Sequence, residues 1–398
     1  MIERTLKPVL RSAAANYPVV TLTGPRQAGK TTLARMAFPD YEYVSLEDPD
    51  LRAFAIEDPR GFLAQFSGPA ILDEVQRAPD LFSYIQTRVD RDGEAGKFIL
   101  TGSQNFLLHQ RVSQSLAGRC AVLHLLPFSQ SELQGRKALS ISTIGERIPR
   151  EVHRSSADLV NTLHRGFYPR IHDKALDPGE WLRNYFLTYV ERDVRDLVNV
   201  GDLDAFDRFV RLCAGRNGML LNLSSLGNDC GISHTTARRW VSILETAFLV
   251  VLLRPHFRNF NKRLIKSPKL YFTDTGLLCY LLRIRNAKDL YLHAMRGSVF
   301  ESLVISELIK NYIHRGQEQS LYFWRDASGN EIDVVIEGDG AALPIEIKSG
   351  QTVASDFFNG IECWRKLAGA PKHPAALVYG GDRSFRRSNV CVYSWMAL

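Results

Sequence analysis

The sequence predicts an α/β protein, with a parallel-sheet P-loop domain first, a helical and winged-helix middle, and a mixed α/β domain at the end. Three observations carry this expectation. An apolar, β-branched run leads directly into G-x-x-x-x-G-K-[ST] and then a helical pattern. Two short helical segments around residue 230 flank a glycine turn and precede an apolar strand and a basic stretch. Late in the chain, two strand-like segments bear an acid on the first and acid-x-lysine on the second. The expected divisions are 1–135, 136–213, 214–285 and 286–398, in keeping with about 100–200 residues per domain.

Composition removes several classes. A hydrophobic share of 45% excludes disorder, and 28 Gly with 17 Pro exclude a collagen-like chain. The longest apolar run, 247–253, is far short of the ~18 residues a membrane span needs. The charged start Met1-Ile2-Glu3-Arg4 lacks an apolar signal region, so the expected location is the cytosol. No two of the six cysteines lie closer than 17 positions, which excludes a local CxxC knuckle and predicts buried free thiols in a reducing compartment. Residues 1–135 hold 14 basic and 15 acidic side chains, so the whole formal charge of +7 arises downstream. That basic excess would suit a polyanionic partner for the later two thirds, although a merely soluble basic surface gives the same count.

Taken in order, residues 19–23 (VVTLT) predict a buried strand, and Thr31 onward a helix. Between them, Gly24, Pro25, Arg26, Gln27, Ala28, Gly29, Lys30 and Thr31 fit the phosphate-loop motif at every fixed position, with Thr32 next. The glycines let backbone N–H groups close around a β-phosphate, Lys30 reaches β/γ oxygens, and Thr31 is placed to ligate Mg²⁺. Residues 69–74 form a short apolar strand ending in two acids. Asp73 would hold Mg²⁺ through water, and Glu74 would orient the attacking water. A third strand at 97–101 leads into Ser103 and Gln104, equal candidates for sensing the γ-phosphate. Arg119 precedes a strand at 120–126; it would stabilise transferred-phosphate charge, in cis or from a neighbouring subunit, or form a structural salt bridge.

These residues carry a resemblance. GPRQAGKTT, AILDEVQ, FILTGSQN, LAGR and LPFSQSEL together resemble a large group of prokaryotic AAA-superfamily ATPases, in which a P-loop domain precedes a C-terminal domain of largely unassigned function. The resemblance spans essentially the whole chain. It implies nucleotide binding at residues 24–32, Asp73 and Glu74, and a parallel sheet whose third strand lies between the P-loop and acid strands.

The polar stretch 134–158, mixed in charge, reads as a linker or an irregular excursion. Residues 181–194 and 204–213 have helical spacing and predict a small helical subdomain, where Arg192 would pair with Asp193 or Asp196 rather than contact nucleotide. Residues 223–230, the turn at Gly231-Ile232, and a helix over 234–247 capped by Ser233 give helix-turn-helix spacing. Thr235, Arg238 and Arg239 sit on the second helix. The stretch 254–269 then carries Arg254, Arg258, Lys262, Arg263, Lys266 and Lys269 with no acid, suiting a wing that rides on DNA phosphates. A winged helix used only for packing would look the same, and phosphate contacts carry no base information.

Residues 297–308 predict a helix bearing Glu301 and Glu307; residues 331–337 and 343–348 predict strands bearing Asp333, and Glu346 with Lys348. On a strand Glu346 and Lys348 share a face. Two carboxylates of this kind could hold Mg²⁺ or Mn²⁺ to activate water, with the lysine positioning that water or neutralising the phosphate. This segment resembles the restriction-endonuclease-like superfamily. The resemblance implies Glu301 as the helix acid, Asp333 and Glu346 as metal ligands and Lys348 as the catalytic lysine. Ile332 departs from the proline that often precedes the first acid. The combined expectation is an ATP-hydrolysing protein acting on DNA, as a monomer or homo-oligomer and with no membrane partner. The alternative is a nucleotide-dependent switch whose last domain is an inactive docking platform.

Overall fold

The structure, a computed structural model, describes residues 2–103, 115–149, 158–189, 203–256, 266–338, 342–370 and 372–398. They form two compact units. The first takes the chain to Phe128 together with Thr246–Phe248 and Ile313–Gln317; the second holds Ser129–Glu245, Leu249–Tyr312 and Glu318–Leu398.

Among the described residues, the first unit is built on a five-stranded, all-parallel sheet: β1 (Val19–Thr23), β2 (Glu42–Ser45), β3 (Ala70–Asp73), β4 (Phe98–Gly102) and β5 (Cys120–His124), in the order β2-β3-β4-β1-β5. The third strand, β4, lies between the P-loop strand and the acid strand, as the resemblance implies. Strands β1, β3 and β4 are buried along their whole length, which explains their near-continuous apolar sequence: helices cover both faces of a parallel sheet. Caps fix the crossover helices. Asp48 accepts from the N–H groups of Asp50 and Leu51 to start Pro49–Glu57, and Gly93, at φ 66°, ends Leu81–Asp92. Register pairs Thr23 with Gly102 and Leu72 with Leu100, bringing the C-terminal ends of β1, β3 and β4 to one edge. Open parallel sheets bind ligands at that edge.

In the second unit, the described residues form an eight-stranded mixed sheet in the order β12-β13-β11-β10-β9-β8-β6-β7. Its strands are β6 (Val250–Pro255), β7 (Lys269–Phe272), β8 (Leu321–Arg325), β9 (Glu331–Ile336), β10 (Leu343–Lys348), β11 (Ala376–Tyr379), β12 (Phe385–Arg387) and β13 (Val390–Ser394). Helix Asn359–Leu367 covers one face through Ile361 and Trp364, which pack with Trp324, Ile332 and Val335. The hairpin β6–β7 follows the helix-turn-helix and joins the last domain's sheet by parallel pairing of β6 with β8. Segments 214–285 and 286–398 therefore share one sheet. The expected boundary at 135 lies beyond the division at Phe128.

Candidate functional site

The loop after β1 holds its shape through backbone that only certain residues allow. Gly24 sits at φ 148°, and a Cβ there would collide with the Leu125 carbonyl oxygen; Gly29 sits at φ 92° and opens helix Lys30–Ala37. Gln27 is left-handed at φ 63° without being glycine. The buried Arg4 fastens the loop from below, donating to the carbonyls of Ala28 at 2.8 Å and Leu126 at 2.6 Å. Lys30 spans its own loop, donating to the carbonyls of Gly24 at 3.0 Å and Pro25 at 2.8 Å. Burial pulls its ammonium down to about 8, although Glu74 and Asp73 oppose the fall. A phosphate among these donors favours the charged form.

At the tip of β3, Asp73 lies against the loop. The Thr31 hydroxyl is 3.1 and 3.0 Å from its two carboxylate oxygens. Tyr43 donates to it at 2.9 Å from β2, and Thr101 donates from β4. These are hard oxygen donors, and Thr31 with Asp73 fits a Mg²⁺ ion, which would neutralise charge on the nucleotide's β/γ oxygens. Glu74 takes a left-handed backbone at φ 54°, a strained geometry for a non-glycine residue. Its carboxylate accepts from Gln76 and, at 3.2 Å, from Ser103. Ser103 thus belongs to the constellation, while Gln104 lies outside the described residues. Arg119 is half-exposed and paired with Asp90. Arg4 and Tyr43 escaped the sequence reading because neither falls within a motif, while Thr101 and Gln76 lie inside the segments FILTGSQN and AILDEVQ but were not singled out there.

In the second unit, Asn222 caps helix Leu223–Cys230, Gly231 at φ 73° ends it, and the Ser233 hydroxyl accepts from the Thr236 N–H at 3.0 Å to start His234–Thr246. A Cβ on Gly227 would press on the Ile232 carbonyl at 2.8 Å, so the small residue permits the tight turn. Ala237, Trp240, Val241 and Leu244 face inward, leaving Thr235, Arg238 and Arg239 exposed. Arg258, Lys262, Arg263 and Arg192 lie outside the described residues. Lys269 corrects an expectation. It is not an exposed wing residue but is buried, paired with Glu331 and 3.6 Å from Glu301. A basic run in sequence does not reveal which member turns inward.

Lys269 enters the cluster that the later acids form. On β9 and β10, the Lys348 ammonium lies 2.7 Å from Glu346 and 3.7 Å from Asp333, and Asp333 accepts from the Ile347 N–H at 2.8 Å. Glu301, on helix Arg296–Ile313, accepts from the Tyr271 hydroxyl. Glu331, two positions before Asp333, pairs also with Arg325 at 3.1 Å. Burial, and then the Asp333 charge, push Glu301 up to about 7 and Glu346 up to about 8, with Lys269 and Lys348 respectively opposing. Burial acts to lower Lys348, but Asp333 and Glu346 outweigh it and hold it above the usual lysine value. A Cβ on Gly360 would collide with Glu346, so the covering helix approaches at a glycine. The four residues expected to act together, Glu301, Asp333, Glu346 and Lys348, are thus coupled in one cluster, and Lys269, Tyr271 and Glu331 join them. Among the described residues, no group of three or more His, Cys, Asp or Glu is arranged to hold a metal.

A parallel sheet with a glycine-bearing loop closed around a lysine, and a neighbouring strand's acid against the loop threonine, defines a nucleotide-binding P-loop domain. Family comparison agrees: residues 16–134 match an AAA domain. Residues 156–288 and 296–398 match two domains of unknown function, DUF8612 and DUF4143. Over 390 residues the chain is 34% identical to the uncharacterized proteins Rv2008c of Mycobacterium tuberculosis and Mb2031c of Mycobacterium bovis, covering 96% of this chain and 81% of each relative. The chain belongs to the family of these two proteins. Similar solved structures include the Walker-type ATPase PABY2304 of Pyrococcus abyssi (TM-score 0.42, 15% identity, 70% of this chain and 95% of that one). Another is the RuvB Holliday junction branch migration motor of Thermotoga maritima (TM-score 0.30, 20% identity, 62% and 87%). Overlaps this loose do not bear on function. Among the described residues, no helix is long and apolar enough to cross a membrane.

Proposed function

We propose that the chain hydrolyses ATP at its P-loop and that turnover controls a second unit acting on DNA. The observation that supports this is the contact of Thr31 with both oxygens of Asp73, which brings the loop and the acid strand together where Mg²⁺-nucleotide would bind. Lys30 would reach the β/γ oxygens, Glu74 would orient the attacking water, and Ser103, bonded to Glu74, would register the γ-phosphate. Loss of γ-phosphate contacts on hydrolysis is the usual way such a domain shifts its neighbour between states. Arg119, being half-exposed, would serve a neighbouring subunit's nucleotide if the chain forms a homo-oligomer. The exposed Thr235, Arg238 and Arg239 support duplex binding. The six free thiols suit a reducing cytosol, although Cys120 and Cys363 are only partly buried where burial was expected of all six.

At the acid cluster, the reading is metal-dependent phosphodiester cleavage: Asp333 and Glu346 would hold Mg²⁺ or Mn²⁺, Lys348 would position water, and Glu301 would complete the set. A second reading, an inactive docking domain, is favoured by one observation: Lys348 and Lys269 already satisfy the carboxylates. The test incubates the protein with linear, single-stranded and branched DNA, in Mg²⁺ or Mn²⁺, with and without ATP. Cleavage that disappears in Asp333→Ala and responds to Lys30→Ala supports an ATP-gated nuclease. No cleavage of any substrate, with ATP hydrolysis intact, leaves the docking reading.

A further inference from the structure

We infer that the second unit carries an anion pocket, built from residues of neither the P-loop nor the acid cluster, that takes a small molecule bearing a phosphate or diphosphate group. A cavity of about 420 Å³ is walled by helices Leu159–Arg165, Pro178–Tyr185, Leu203–Gly215 and Thr275–Leu281, a size common for small-ligand sites. His164, Arg211, Arg283 and Arg285 line it, and among its described lining residues there is no carboxylate. Arg211 is held in place. Its Nε donates to Asp207 at 2.9 and 3.0 Å, and its guanidinium lies over the rings of Phe186 and Tyr280, 5.4 and 5.7 Å from their centroids.

Arg283 and Arg285 are different. Among the described residues, neither side chain makes an ion pair or hydrogen bond, yet both border the cavity. The backbone adds an independent observation. Arg283 stands at φ 59°, just past the end of helix Thr275–Leu281, where its N–H meets the Tyr280 carbonyl and the Ile284 N–H meets the Cys279 carbonyl, each at 3.0 Å. Glycine holds that left-handed position most cheaply. Both arginines are exposed at the cavity's edge, and backbone strain of this kind concentrates at ligand sites. Guanidinium forks match phosphate oxygens in geometry as well as charge, and Leu182, Ile284 and Tyr280 offer apolar walls for the rest of a ligand.

The rival explanation is structural: cations near a helix C-terminus complement its dipole and need no ligand. Calorimetric titration of the full chain with inorganic pyrophosphate separates the two, using Lys30→Ala so that the P-loop contributes little. The expected result is saturable one-to-one binding, weakened at least tenfold in both Arg283→Gly and Arg285→Gln. The melting temperature of Arg283→Gly should be unchanged or raised, because glycine relieves the left-handed strain. Absence of saturable binding, or an affinity that survives either substitution, overturns the proposal. A lowered melting temperature in Arg283→Gly would return these arginines to a structural role.

Discussion

The hydroxyl of Thr31 sits 3.0 and 3.1 Å from the two carboxylate oxygens of Asp73, joining residues 42 positions apart into one cation-ready pair. Thr31→Ala or Asp73→Asn should therefore raise the Mg²⁺ concentration that half-saturates ATP turnover by at least about tenfold. Thr31→Ser, which keeps the hydroxyl, should not. Initial rates across a Mg²⁺ titration measure this, and equal midpoints in all three variants would separate the pair from metal binding.

Lys30 links the same loop to pH. Its ammonium falls from 10.5 to about 8 on folding, chiefly through burial. Between those values the unfolded chain binds the proton and the folded chain does not, so stability should rise with pH across that window. The full effect is about 3 kcal/mol. Lys30→Met removes it: its stability advantage over the wild type should be largest below pH 8 and shrink toward pH 10.5. Urea unfolding of both proteins across this range measures the difference, and a constant gap would contradict the linkage.

Two kinds of basic residue in the second unit should behave in opposite ways. Arg238 and Arg239 are exposed, so each alanine variant should weaken DNA binding and reduce the salt slope by about 1, leaving stability unchanged. Lys269 is buried against Glu331 and Glu301. Lys269→Ala should instead cost about 3 kcal/mol or more, because two carboxylates lose their shared buried cation and, among the described residues, keep only Arg325 and Tyr271. Salt-dependent binding isotherms and urea melts distinguish these outcomes.

A buried pair within helix Arg296–Ile313 makes a separate prediction. Glu307 lies 2.9 Å from Lys310, and both side chains are almost wholly excluded from solvent. Glu307 also accepts from the Gln130 N–H at 2.9 Å, and the Lys310 ammonium sits 4.2 Å from the centre of the Phe167 ring. Glu307→Ala should destabilise by about 3–5 kcal/mol, since it strands a buried charge, while Glu307→Met with Lys310→Met should recover most of the loss. Denaturant midpoints of the two variants would show it.

What the sequence made legible follows from range. The phosphate loop is contiguous, and its glycine positions are dictated by local backbone geometry, so Gly24, Gly29, Lys30 and Thr31 could be read directly. Asp333, and Glu346 with Lys348, were readable because alternation along a strand places i and i+2 on one face. Tyr43 and Arg4 reach their site only through tertiary packing, and nothing near them in the chain announces it; Thr101 sits on the strand that leads to Ser103, but its contact with Asp73 depends on strand order. The pairing of β6 with β8, Arg254 beside Tyr322, spans most of a domain in sequence and merges two segments that looked independent. Burial, which composition cannot show, turned Lys269 from a surface cation into a partner for acids.

The most direct test of the account is steady-state phosphate release from Mg²⁺-ATP by the wild type, Lys30→Ala and Glu74→Gln. Glu74 is held in its strained backbone against Ser103 and Gln76, and its proposed role is to orient the attacking water. The account predicts measurable turnover in the wild type. Glu74→Gln should lose at least about a hundredfold while still binding ATP, and Lys30→Ala should lose both turnover and tight binding. Wild-type turnover rates in Glu74→Gln, or no ATP hydrolysis by the intact chain, would contradict it.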